Sequence, residues 1–208
     1  RLGFGASIPY YWALNPHYDL TTTLTPLTKQ GVVSDVKFRH QLANGAYTFS
    51  AAGLFQARPS EFSGSSGDRR WRGAIHTTGH FNLSENWKAG WDLIYKSDRA
   101  FLKDYSFVSF NDDDETSEAY LSGNTLRNGF SIKGYAFSIY QEDYTNPTYD
   151  APGFSPVGQS LQDKQPFVAP VVDYDYVFDD PIGGGELSFN GNFTSLTRAK
   201  TDAFRVNG

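Results

Sequence analysis

The sequence predicts an all-β protein, an antiparallel up-and-down transmembrane β-barrel of which about ten strands are present. Three observations predict it. First, apolar and polar residues alternate: Trp87, Ala89, Trp91, Leu93 and Tyr95 fall on one face of a strand, with Lys88, Gly90, Asp92 and Lys96 on the other. Second, the connections sort by length, with tight turns on one rim and long loops on the other. An outer-membrane barrel is built that way, and a soluble sandwich has no reason to be. Third, aromatic residues sit at strand ends, where a membrane interface would hold them. Trp12 and Tyr18 flank the first turn, Trp87 the fifth, Phe130 the seventh and Phe178 the ninth.

The composition is compatible with this class and removes others. The mean hydropathy of −0.48 is polar for a membrane protein, and no stretch approaches about 18 consecutive apolar residues, which excludes helical spans. A barrel survives that test because half of each strand faces an aqueous lumen. Aromatic residues make up 16% of the 208 residues, which suits strands and interfacial girdles. A net charge of −5 argues against a nucleic-acid partner. Cysteine is absent, so the chain has no disulfide, thiolate metal site or cysteine nucleophile. It opens at Arg1 without an initiator methionine or a charged-then-apolar leader, and is expected to be a piece of a longer protein.

The strands are expected in order as follows. Residues 2–14 turn at Asn15-Pro16-His17 into residues 18–28, which turn at Lys29-Gln30-Gly31. Residues 32–42 meet residues 46–57 through Ala43-Asn44-Gly45, where Asn-Gly between alternating runs signals a hairpin. A Ser/Gly-rich loop, 58–68, leads to the pair 69–83 and 87–97, joined by Ser84-Glu85-Asn86. A long segment, 98–114, precedes 115–126 and 130–142, which pivot on Arg127-Asn128-Gly129. The longest connection, 143–166, holds four prolines and is expected to be irregular. The last pair, 168–178 and 186–199, turns through Asp179-Asp180-Pro181 and glycines 183–185. The odd-numbered connections are thus short and the fourth, sixth and eighth long, with the second the one short connection on the long-loop side.

No residue pattern argues for catalysis or a cofactor. His76-Thr77-Thr78-Gly79-His80 has the spacing that chelates a metal from a helix, but on a strand at ~3.3 Å per residue the imidazoles stand about 13 Å apart. They read as polar lumen-facing side chains beside Arg70, Arg72 and Asn82. Asp112-Asp113-Asp114-Glu115 lacks the glycine and ligand spacing of a calcium loop and reads as a solvated acidic loop. Gly183-Gly184-Gly185 follows no strand-lysine-helix pattern and reads as a turn, and no serine nucleophile elbow is present. Pro9 is different. It interrupts the strand-like run Ile8-Pro9-Tyr10-Tyr11-Trp12 and cannot donate to a ladder, so it marks an edge, a bulge or a weak seam, or else a kink near the rim. Pro26, in the facing strand, falls under the same reading.

The segment Pro9-Tyr10-Tyr11-Trp12-Ala13-Leu14-Asn15-Pro16-His17-Tyr18-Asp19-Leu20-Thr21-Thr22-Thr23-Leu24-Thr25-Pro26 closely resembles the early barrel of the LptD family of lipopolysaccharide-assembly outer-membrane proteins. Further similarity lies in Val36-Lys37-Phe38-Arg39, Arg69-Arg70-Trp71 and Tyr95-Lys96-Ser97-Asp98, and it extends over essentially the whole chain. The resemblance implies a transporter in the outer membrane of a Gram-negative bacterium, with a very large barrel plugged by a lipoprotein. It implies a periplasmic jelly-roll domain that receives lipopolysaccharide from a periplasmic bridge protein. Lipid tails would enter the membrane through a lateral gate while the sugar passes through the lumen. A proline in the family's second strand keeps that seam weak, and Pro9 is the matching position. Residues 1–208 would then be part of one barrel domain, an arc starting at the family's second strand. The remaining strands, the jelly-roll domain and the family's disulfide cysteines would lie outside it.

On this reading Lys37, Arg39, Arg72 and His76 face the lumen, and Trp87, Trp91 and Leu93 face lipid. Two alternatives make different demands. A small porin-like channel of these ten strands needs the first strand to pair with the last. A soluble glycan-binding β-sandwich needs the apolar faces of all strands to converge on one dry core.

Overall fold

The structure, a computed structural model, describes residues 1–105, 107, 110, 116–139, 162–179 and 182–199. Ten strands form one sheet: β1 (Ile8–Asn15), β2 (Tyr18–Leu27), β3 (Gly31–Leu42), β4 (Gly45–Phe55), β5 (Trp71–Asn82), β6 (Trp87–Lys96), β7 (Thr116–Asn124), β8 (Asn128–Phe137), β9 (Pro166–Val177) and β10 (Ser188–Arg198). Every neighbouring pair is antiparallel, and the spatial order is the chain order from β1 to β10. No ladder joins β1 to β10 among the described residues, so the ten strands do not close on themselves. Nor do they divide into two facing sheets, so the apolar faces have no second layer to converge on.

The predicted rims are present, with differences at the boundaries. Tight turns join β1 to β2, β3 to β4, β5 to β6 and β7 to β8, whereas the connections β4–β5, β6–β7 and β8–β9 are long. The turn into β3 needs Gly31, whose φ of 95° lies in the left-handed region. The ninth connection is longer than a tight turn, running from Phe178 to Leu187 through a short 3-10 turn. Residues 2–7 are not part of the first strand. Their one backbone bridge to β2 is Gly5↔Leu27. Strand β8 ends at Phe137 and β9 begins at Pro166, earlier than expected in both cases. Pro170 inside β9 is accommodated by a register shift against both β8 and β10, as a residue without an N–H requires. The acidic run 112–115 lies outside the described residues.

The register sorts side chains onto two faces. One rung crosses six strands, Tyr11↔Thr21↔Lys37↔Ser50↔His76↔Ile94. Residues one step along each strand point the other way. That opposite face carries Ile8, Tyr10, Trp12, Leu24, Phe49, Trp71, Ile75, Leu93 and Tyr95, all of them exposed. Trp91 lies on it with its ring over Gly79, where an added Cβ would come within 2.5 Å of the indole. The aromatic residues expected at the interface occupy this face near the tight-turn rim. Trp87 meets Phe130 at 5.9 Å across Gly123, Tyr18 packs on His40 at 5.4 Å, and Phe178 meets Tyr176 edge-on at 4.7 Å.

The largest buried cluster lies on the polar face, not between two layers. Loop residues Phe62, Phe101, Leu102, Tyr105 and Phe110 pack there against Val33, Ala52, Leu54 and Ala74 of β3, β4 and β5. A short helix, α1 (Phe101–Asp104), supplies two of them.

In lipid vesicles, Leu93→Arg on the apolar face is expected to cost about 2–4 kcal/mol of folding stability. Thr78→Arg, one strand away on the polar face, is expected to cost under 1 kcal/mol; urea titration of the two variants checks the difference.

Candidate functional site

Two features of the sheet have functional geometry: the β1 edge with its prolines, and a cap of long loops seated on the polar face.

Antiparallel pairing makes alternate residues of a strand direct their N–H and C=O groups to opposite sides. Thr28 N donates to Phe4 O at 2.9 Å. The unbroken register Ile8↔Leu24 and Gly5↔Leu27 therefore aims the backbone groups of Ile8, Tyr10 and Trp12 at β2. Pro9, opposite Thr23, is in the other set. Its missing N–H would lie on the outer edge of β1, which pairs with no strand among the described residues. Pro26 acts on the inner side. The same register places it opposite Ala6, where it would have donated to the β1 side, and there the β1–β2 ladder lapses. The two prolines thus remove donors on opposite sides of β1. At the lapse, the hydroxyls of Ser7 and Thr25 meet at 2.9 Å.

The cap is organised by Arg72. This side chain has no exposed surface, although it lies on the face that carries the polar residues of β5. Its Nε and Nη2 donate to the two carboxylate oxygens of Asp98 at 2.9 and 2.6 Å, and Nη2 also donates to Asp104 at 2.8 Å. The rings of Phe62, Tyr105 and Phe101 surround the guanidinium at 5.0, 5.4 and 5.5 Å. On the remaining side lies Gly67, where an added Cβ would fall 2.8 Å from Nη1. Asp98 is itself held by Ser97 Oγ and by the N–H of Ala100. A buried cation of this kind stands only with its anions. Deleting one partner leaves an uncompensated charge, at a cost of about 3–5 kcal/mol.

Gln56 ties the cap together. Its Nε2 donates to the carbonyls of Gly67 and Arg69, and its Oε1 accepts from the Tyr105 hydroxyl at 2.8 Å. Burial raises the Tyr105 phenol to about 12.

Lys37, Arg39, Arg72 and His76 share one face, opposite the exposed aromatics, but their surroundings differ. Arg39, whose side chain is over half exposed, makes a two-pronged pair with Asp19 that contributes little stability. His76 Nε2 meets Asp92 at 2.8 Å. Lys37 stands between Thr21 and Ser50 on its rung. Arg72 departs from the expectation of an open polar surface, since loop residues enclose it. His76 and His80 lie on β5 as the strand reading required. No group of three metal-ligating side chains comes together among the described residues. The carboxylates Asp98 and Asp104, and the residues Phe62, Tyr105 and Gln56, were not anticipated from the sequence. Farther along, Glu118, Tyr120, Lys133, Asp173 and Asp175 line a cavity of about 310 Å³ on the polar face of β7, β8 and β9.

One sheet with a greasy outer face, a polar inner face and sorted connections is the wall of an outer-membrane β-barrel. The sequence model of the family described as LptD, LPS transport system D, matches residues 70–207, and the chain belongs to this family. Among curated relatives, the LPS-assembly protein LptD of Actinobacillus pleuropneumoniae serotype 5b is 24% identical over 97% of this chain and 23% of its own length. That of Hahella chejuensis is 32% identical over 64% of this chain and 17% of its own. That of Bordetella pertussis is 34% identical over 52% and 13%. The chain therefore spans about a quarter, or less, of the length of the relatives it matches.

Because the Tyr105 phenol is held neutral to about pH 12, the unfolded loop ionises first, and the stability this group contributes is lost as pH rises from about 10 to 12. The protection factors of the cap-loop amides, taken relative to the base-catalysed exchange of the unfolded chain at each pH, are expected to fall across that window in the wild type. Tyr105→Phe is expected to flatten the dependence.

Proposed function

We propose that this chain is part of the barrel of an outer-membrane translocon that assembles lipopolysaccharide into the outer leaflet of a Gram-negative bacterium. It is an arc of a single barrel domain, and the periplasmic domain and remaining strands belong to the rest of the protein. The relatives' printed name, LPS-assembly protein, supports the cargo. The sheet supports the route. Its apolar face is lipid-facing, with Trp12, Tyr18, Trp87, Phe130 and Phe178 at one interface. Its polar face, bearing Lys37, Arg39, Arg72 and His76, lines the lumen through which the sugar passes. The partners are those the family resemblance implies: a plug lipoprotein inside the barrel and a periplasmic bridge protein that delivers the cargo to the N-terminal domain.

The observation that carries this reading is the position of Pro9. A closed, fully bonded barrel gives a bulky glycolipid no lateral exit, because each backbone group released into hydrocarbon costs several kcal/mol. An edge that never had the donor does not incur that cost on opening. Pro9 removes one donor on the outer side of β1, which weakens the wall beside the seam by which the lipid part of the cargo leaves.

In the full-length protein, Pro9→Ala restores one edge hydrogen bond, worth about 0.5–1.5 kcal/mol. The expected outcome is slower delivery of lipopolysaccharide to the cell surface, read as greater sensitivity to a large antibiotic normally excluded by the outer membrane. Unchanged delivery in a normally assembled Pro9→Ala protein would contradict the gate assignment.

A further inference from the structure

We propose that the loop cap on the polar face clamps the segment leading into β1, so that the buried Arg72 cluster controls the mobility of the edge strand. The inference rests on the reading of β1 as a weakened strand beside the export seam, and it adds a control element to it.

Residues 1–5 have little of a ladder to hold them. Their bonds to the strand side are the single bridge Gly5↔Leu27, Thr28 N to Phe4 O, Phe4 N to Thr28 Oγ1 at 3.0 Å, and Lys29 N to Leu2 O, the last long at 3.4 Å. Beyond them the ladder is interrupted opposite Pro26 before it resumes at Ile8↔Leu24. The segment is held from the other direction. Leu2 packs against the cap's apolar cluster, and the Arg1 guanidinium lies 5.5 Å from the Phe62 ring, the ring that also covers Arg72.

Gln30 makes the connection polar as well as apolar. It is fully buried, and its Nε2 donates both to Arg1 O at 2.9 Å and to Arg58 O at 3.2 Å. In return Ala57 N donates to Gln30 O and Arg58 N to Gln30 Oε1. One side chain therefore bridges the segment before β1 and the first residues of the β4–β5 loop. That loop carries Phe62, against which Arg72, Asp98 and Asp104 hold the β6–β7 loop, with the Gln56–Tyr105 bond beside them. The path from the ion cluster to the edge strand is continuous: Arg72, Phe62, then Arg1 and Leu2, with Gln30 alongside. While the cap is seated, the entry to β1 is pinned. When the cap lifts, the interrupted ladder around Pro26 and the bonds of Phe4 and Ser7 to Thr28 and Thr25 are what retain it.

Hydrogen exchange on the full-length protein in membranes tests this through the amides of Thr28 and Lys29, whose acceptors lie on the clamped segment. Arg72→Met is expected to speed exchange at least tenfold both in the cap, at Asp104 and Tyr105, and at Thr28 and Lys29. Gln30→Ala is expected to speed it at Thr28 and Lys29 while the cap amides keep their protection. Should Arg72→Met fail to assemble because two carboxylates are left buried, the combined Arg72→Met, Asp98→Asn and Asp104→Asn variant removes the charges together and carries the same expectation. A cap that loosens while Thr28 and Lys29 stay protected, or a Gln30→Ala protein with unchanged exchange at both, would overturn the clamp. Surface delivery of lipopolysaccharide in the same cells reports separately on the export reading, since the exchange rates do not depend on the cargo.

Discussion

A strand in hydrocarbon has no water to satisfy its backbone, so each N–H and C=O must find a partner on a neighbouring strand. Most of this molecule follows from that requirement. It explains why ten strands of modest hydrophobicity run in a single unbroken sheet in chain order. It explains why connections are tight on one rim, where the chain only has to reverse. It also gives meaning to the two positions where a donor is absent. Pro9 and Pro26 would be minor irregularities in a soluble sheet. Here they remove donors on opposite sides of the β1 segment, at the edge of the sheet.

The same requirement leaves the inner face free to be polar, and the loops exploit that freedom. Most of the polar face holds hydrated side chains such as Lys37, Asp173 and Asp175. Around Arg72 the β4–β5 and β6–β7 loops instead fold over it and make a small dry core from Phe62, Phe101, Leu102 and Tyr105. A cation sealed into that core needs its carboxylates, and it recruits them from a different loop than the one that supplies Phe62. The cluster is therefore a joint between loops, with strand β5 as its fixed point.

Much of the architecture was legible in the sequence because strand period and turn chemistry are local. Trp87 to Lys96 announced its faces by simple alternation, and Asn44-Gly45 its hairpin; the expectation of an irregular connection over 143–161 lies outside the described residues. Pro9 stood out because proline is the one residue whose backbone chemistry is visible in the letters. What stayed hidden depends on contacts between distant segments. Asp98, Asp104 and Phe62 looked like ordinary loop residues, and nothing local marks them as partners of Arg72. Residues 2–7 alternate well enough to read as strand, yet they lack a bonded ladder once Pro26 falls opposite Ala6. Pro170 was absorbed by a register shift that only pairing with both β8 and β10 reveals.

The central claim is that one face of this sheet meets lipid and the other an aqueous lumen. The most direct measurement is a scan of single cysteines along β6, from Trp87 to Lys96, in the full-length protein in membranes, each carrying an environment-sensitive fluorophore and read against quenchers on lipid chains. The account predicts quenching that alternates residue by residue, strong at positions 89, 91, 93 and 95 and weak at positions 88, 90, 92 and 96. Alternation with the opposite phase, or equal quenching along the strand, would contradict it.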